Sequence, residues 1–188
     1  KMRVKNSNLI LMYQTHSNKV IEIKKDNLKR KFMSDAIITK IKNLALGVVT
    51  ADCVPILIYD KKNDIVGCIH AGWKGAFSGV IKNTISKIKK NKRHTELYAS
   101  VGPCIGKTSY EVGYEFYKKF ISRSKRNKSY FSSKNKNKKL FNLRKFVNDK
   151  LISLKVTVDH VNHDTFKESN NFFSYRRTSL LNESDYGR

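Results

Sequence analysis

The stretch GVVTADCVPILIYDKKNDIVGCIHAGWKG, residues 47–75, holds two short apolar runs with a polar turn between them. PILIYD and DIVGCIH are rich in β-branched residues, the composition of half-buried strands. KKND (61–64) has the makeup of a turn, so the two runs are expected to pair as a hairpin. Asp52 and Cys53 stand at the mouth of the first run, where Pro55 disfavours a helix. His70 closes the second run and is followed by Gly72 and Gly75, which permit sharp backbone turns. Pairing 55–60 with 64–69 would set Cys53 and His70 at the open end of the hairpin, within reach of one another. A thiol beside an imidazole serves two chemistries: a thiolate nucleophile with its base, or a shared metal.

Working outward, His16 also follows an apolar run, NLILMY (8–13), and sits among the polar residues Gln14, Thr15, Ser17 and Asn18. One thiolate with two imidazoles is a three-ligand zinc set that leaves a fourth position open, as catalytic zinc sites do. The separations in sequence do not match a finger or ribbon. The same residues also suit the plainer reading of a small buried cysteine and two polar strand-end histidines. Cys68 alternates with His70 and reads as core, and Cys104, in the glycine-bounded loop GPCIG, reads as structural. His94 reads as a surface turn residue, and Trp73 as core or a pocket wall.

The rest of the chain mixes short strands with helices. DAIIT (35–39), LALGVVT (44–50), ELYASVG (96–102) and KVTVDHV (155–161) read as strands, and residues 21–34 as a polar turn region. Val80, Ile81, Thr84, Ile85 and Ile88 share one helical face, with Lys82, Lys87 and Lys89 on the other. SYEVGYEFYKKFI (109–121) reads as a helix, and Asn142 as the cap of another carrying Leu143, Phe146, Val147 and Leu151. The order lacks regular strand–helix alternation, which argues for an α+β fold of mixed sheets and not a doubly wound one. No repeat or Pro/Gly/Ser linker interrupts the 188 residues, so one domain, 1–188, is expected.

The net charge of +24 raises nucleic-acid binding. The basic residues are scattered over most polar positions, and the densest run, SRSKRNKSYFSSKNKNKK (122–139), lies between two helical patterns and reads as a solvated loop. Weak polyanion binding at low salt is expected, but no specific nucleic-acid partner. No run approaches the length of a membrane span and no leader opens the chain, so neither membrane nor export is expected. Three cysteines at irregular spacing fit free thiols in a reducing, cytoplasmic setting.

QTHSNKV, DAIIT, TADCVPILIYD, HAGWKG, GPCIG…YEVG and FFSYRR…GR stand in an order and spacing that resemble the YfiH/laccase-domain family. Its members are variously called multicopper polyphenol oxidoreductase-like proteins, peptidoglycan editing factor and purine nucleoside phosphorylase. The resemblance covers about residues 8–188. It implies an α/β/β/α sandwich of mixed sheets flanked by helices, with zinc held by His16, Cys53 and His70. It also implies phosphorolysis of adenosine, inosine or methylthioadenosine to base and ribose 1-phosphate, with adenosine deamination alongside. Zinc would bring the pKa of a bound water towards ~7. Phosphate would need cations, and Lys74, Arg176 and Arg177 are the candidates, planar arginine being suited to bidentate contact. Catalytic roles would fall to Cys53, His70 and Asp52, the last steering a proton, orienting a ligand or capping a turn.

Three departures accompany the resemblance. Ser17 replaces the glycine of the QxHG block, Asp164-Thr165 replaces a Cys-Thr pair, and the family's segment ahead of QxH has no counterpart, so the chain is expected to be N-terminally incomplete. Two other activities compete. One is a cysteine amidase or hydrolase acting on cell-wall precursors, with Cys53 as nucleophile and His70 as base. The other is a copper-dependent polyphenol oxidase, to which the family label points. Five histidines cannot furnish a type-1 copper and a trinuclear cluster together.

Overall fold

A computed structural model describes residues 5–28 and 30–185. The hairpin at its centre is the one expected: β5 (Val54–Asp60) and β6 (Ile65–Ala71) run antiparallel with Val54 opposite Ala71 and Pro55 opposite His70. This register fixes the site, because it leaves Cys53 one residue beyond one strand end and Gly72 beyond the other. Around the hairpin are β1 (Leu9–Leu11), β2 (Val20–Ile23), β3 (Ala36–Thr39), β4 (Ala45–Gly47), β7 (Leu97–Val101), β8 (Glu111–Gly113), β9 (Phe131–Ser133), β10 (Lys138–Phe141) and β11 (Thr157–His160). Six of these strands form one mixed sheet in the order β11-β7-β5-β6-β3-β2. A three-stranded sheet, β8-β10-β9, and a parallel pair, β1-β4, complete the β structure among the described residues.

The helices are α1 (Trp73–Ser78), α2 (Val80–Lys89), α3 (Tyr114–Arg123), α4 (Leu143–Ser153) and α5 (Tyr175–Leu181). Strand alternation divides the large sheet into two faces. Val54, Ile56, Ile58, Ile65, Ile69 and Ala71 pack with α2 and α4 in the main core. Val80, Ile81, Thr84, Ile85 and Ile88 are all buried, as their helical spacing predicts. Burying each of the Val and Ile side chains stabilises the fold by roughly 1.5–3 kcal/mol. Asn142 caps α4, its side chain accepting a hydrogen bond from the Lys145 amide at 2.9 Å. On the opposite face, Ile37 and Cys68 form a smaller cluster with Met12, Ile23 and Phe32, over which Ile10 of β1 and Leu46 of β4 pack. Cys68 is therefore core, and burial pushes its thiol pKa up to about 12.

The α+β class with mixed sheets is the one expected. Three local expectations need correction, and one helix was not foreseen. The supposed turn region 21–34 begins inside β2, which the sheet accepts because β3 supplies a parallel partner. The helix expected over 109–121 begins only at Tyr114, since residues 111–113 pair with β10. The basic run 122–139 is no plain loop: it contains a 3₁₀ segment, Lys125–Tyr130, and most of the β9–β10 hairpin. Aromatic packing overrides the polar composition there, with Phe131 and Phe141 stacked at 4.8 Å and Phe120 within 4.9 Å of Phe141. Finally, FFSYRR leads into the unforeseen helix α5, while the Gly187-Arg188 that ends the motif lies outside the described residues.

Candidate metal centre

His16, Cys53 and His70 converge. One ligand-type atom from each lies within 4.8 Å of the others. The Cys53 sulfur stands 3.9 Å from His16 Nε2, and the two imidazole rings meet edge to face at 4.8 Å between centroids. Around a tetrahedral zinc with Zn–S near 2.3 Å and Zn–N near 2.0–2.1 Å, adjacent ligand atoms lie roughly 3.5 Å apart. The observed spacing needs only a small contraction to reach that, and a soft thiolate with two imidazoles is a zinc-type donor set. The hairpin brings Cys53 and His70 together as expected, and His16 joins them on the sulfur side.

Each ligand is delivered by a different device. His70 is the last residue but one of β6 and is buried, 3% exposed. Cys53 follows Asp52, whose backbone takes φ +83°, a left-handed turn that directs the chain into β5. His16 is itself left-handed at φ +58°, in the tight turn between β1 and β2. Gly72 makes the approach possible: a Cβ there would sit 2.8 Å from the Cys53 sulfur and 3.2 Å from His16 Cδ2.

The carboxylate behind the trio is Asp35, which sequence reasoning missed. It is fully buried at the start of β3 and reaches His70 Nδ1 at 2.8 Å. It also accepts from the amides of His16 at 2.9 Å and Ser17 at 2.6 Å, and from the Ser17 hydroxyl at 2.7 Å. Ser17, the departure from the QxHG pattern, thus contributes a donor that glycine lacks. Burial works to raise the Asp35 pKa, but the His70 and Ser17 hydrogen bonds prevail and hold it well below the usual carboxylate range. The available signal was positional: a carboxylate immediately before the apolar run Ala36–Ile38 has to find partners where the strand begins.

Asp52, for which steering a proton, orienting a ligand and capping a turn were all open, is engaged by three donors. Its carboxylate accepts from the Thr165 hydroxyl at 2.7 Å, the Ser174 hydroxyl at 3.0 Å and the Arg176 amide at 2.7 Å. These bonds fasten the segment before α5 against the ligand-bearing turn, and none of them goes to a ligand ring.

A cavity of about 490 Å³ opens over the trio, with Trp73, Lys74, Tyr110, Tyr175 and Arg176 in its walls. Trp73 is both wall and core, packing edge to face on Phe116 at 4.8 Å. Arg176 lies over the Tyr110 ring at 5.4 Å and donates to the Glu111 carbonyl at 2.8 Å. Burial first, and then the nearby Cys53, push the Tyr110 hydroxyl pKa upward, so it stays a donor. Arg177 is turned away from the lining. Its guanidinium donates to the carbonyls of Thr165 and Phe166 at 2.9 Å and of Phe172 at 2.7 Å. Those three carbonyls engage three of its five N–H donors and brace the loop. Cys104 is buried and bridges to Asp164, apart from the trio.

A family model described as multi-copper polyphenol oxidoreductase laccase matches residues 1–188. A purine nucleoside phosphorylase of Rickettsia conorii is 35% identical over 181 residues, covering 95% of this chain and 75% of the relative. The crystal structure of a Neisseria meningitidis protein superposes with a TM-score of 0.81 at 31% identity, over 90% of this chain and 69% of that one. The Bacillus licheniformis hypothetical protein YfiH has the same fold, with a TM-score of 0.84 at 22% identity over 94% and 72% of the two chains. The chain belongs to the multi-copper polyphenol oxidoreductase laccase family, the YfiH/laccase-domain group that its motifs resemble.

Proposed function

We propose that this chain is a zinc-dependent purine nucleoside phosphorylase that converts adenosine, inosine or methylthioadenosine and phosphate to the base and ribose 1-phosphate, with adenosine deamination as a second activity. The observation that carries the reading is a cavity of nucleoside size with a Cys–His–His donor set at its base and two cations in its wall. The relative named a purine nucleoside phosphorylase supports it.

Zinc, when bound by His16, Cys53 and His70, supplies Lewis-acid activation at its open position. The protein's own residues do the rest. Lys74 and Arg176 place positive charge in the wall, where a phosphate would be held for attack on the anomeric carbon. Trp73, Tyr110 and Tyr175 provide flat apolar surface for a purine, and Tyr110 stays protonated as a donor to it.

The test is direct. Inosine and adenosine are incubated with phosphate, with and without a chelator, and the products identified. Ribose 1-phosphate that forms only in the untreated sample supports the proposal. Turnover that survives complete zinc removal would overturn it.

A further inference from the structure

We propose that Asp35 is the positioning residue of the metal centre: it fixes the tautomer of the His70 ring and, with the same oxygen, the backbone of His16. The inference rests on the metal-centre reading of the trio and adds to it the group that prepares two of the three ligands.

The argument is a count of donors. Asp35 Oδ1 is shared by His70 Nδ1 at 2.8 Å and the His16 amide at 2.9 Å. Oδ2 receives the Ser17 amide at 2.6 Å, the Ser17 hydroxyl at 2.7 Å and the Thr15 hydroxyl at 3.1 Å, with the Thr15 amide at 3.3 Å. Three consecutive amides thus form a cradle whose occupant is this side chain, and the left-handed φ of His16 turns them inward. A side chain surrounded by so many donors can only accept, which is the behaviour of a carboxylate. His70 Nδ1 must therefore carry the ring proton, and Nε2 is left with its lone pair for a metal. The second ligand ring is on the residue whose amide meets the same oxygen.

Asparagine at position 35 inverts this. Each of its two termini would face a backbone amide that can only donate, of His16 at one end and of Ser17 at the other, so its NH2 group fits neither end. With the carbonyl oxygen facing Ser17, the amide nitrogen faces His16 and His70 and favours the other tautomer, with the proton on Nε2 and the ligand lone pair lost. Glutamate has the charge but is one methylene too long for a fully buried site.

The experiment uses the full chain labelled with ¹⁵N and stripped of metal. Long-range ¹H–¹⁵N correlation of the imidazole should show His70 protonated on Nδ1. In Asp35→Asn, zinc affinity measured by competition with a chromophoric chelator should fall about 10- to 100-fold, and the His70 spectrum should move towards the Nε2–H form. A parent protein with the proton on Nε2, or an Asp35→Asn variant that binds zinc as tightly as the parent, overturns the proposal. If the variant does not fold, the parent's ring spectrum decides alone. A parent with the expected tautomer but no zinc uptake supports the role of Asp35 in setting the ring and counts against the metal-centre reading instead.

Discussion

Two buried aspartates serve the residues around the candidate centre, Asp35 behind the trio and Asp52 beside Cys53. Asp35 gathers residues 15–17 and His70, which lie on neighbouring turns and strands of the sheet. Asp52, next to Cys53, gathers Thr165, Ser174 and Arg176 from more than a hundred positions away. The first aspartate touches a ligand ring and the second touches none. Similar chemistry is thus divided between two tasks: one carboxylate prepares the centre, and the other attaches the wall that carries a cation. Cys53 sits where the two regions meet.

Replacement of Cys53 should have the largest effect. Cys53→Ser removes the thiolate, so zinc near one per chain should fall to a trace and turnover should drop about a thousandfold or more, both read on one sample by metal analysis and product assay. A variant that kept its zinc and lost turnover would favour the nucleophile reading. Asp52→Asn should separate the two regions: chemical unfolding should show a loss of about 1.5–3 kcal/mol from hydrogen bonds to a charged group, and the KM for phosphate should rise while zinc affinity holds. Equal losses of metal and wall would show that the division is false.

Gly72→Ala probes the other side. Its φ of −66° suits alanine, but the added methyl would press on the sulfur, so zinc should bind about tenfold more weakly with little change in unfolding. The smallest effect concerns Glu111 at the back of the wall. Hydrogen bonds from Lys134 and Lys138 hold its pKa at about 2, against an ordinary 4.5. The depressed folded value means that the stabilisation is present above pH 4.5 and is lost as pH falls towards 2. Both lysines are half-exposed, so the contribution should stay below about 1 kcal/mol. An acid titration of Glu111→Gln beside the parent measures it, and raised salt should shrink it.

The sheet at the centre was legible because alternation and turn composition need only local information. PILIYD, KKND and DIVGCIH fold as read, and the apolar face of α2 is buried residue for residue. β2 and the β9–β10 hairpin were not legible. VIEI, FSS and KKLF are too short to show an alternation of their own, and they form strands because β3 and the aromatic cluster of Phe120, Phe131 and Phe141 accept them. At the site, hairpin geometry suggested the nearness of Cys53 and His70, and the strand-end position of His16 offered it as a third ligand beside a plainer structural reading; the family motifs then pointed to the full metal set. Arg176 and Arg177 are adjacent and alike in sequence, yet one lines the cavity and the other braces a loop. The side on which a helix's first turn meets its neighbours decides between them.

From its residues alone, this chain determined an α+β architecture, a central hairpin, and a thiol and an imidazole carried to one end of it, because strand periodicity and turn chemistry act over a few residues. Only the tertiary structure decided which carboxylate serves the ligands and which holds the wall. Both aspartates precede strands and look alike in one dimension. Their partners lie 18–35 residues away for Asp35 and more than a hundred away for Asp52, and a buried charge takes its role from the donors that folding brings to it.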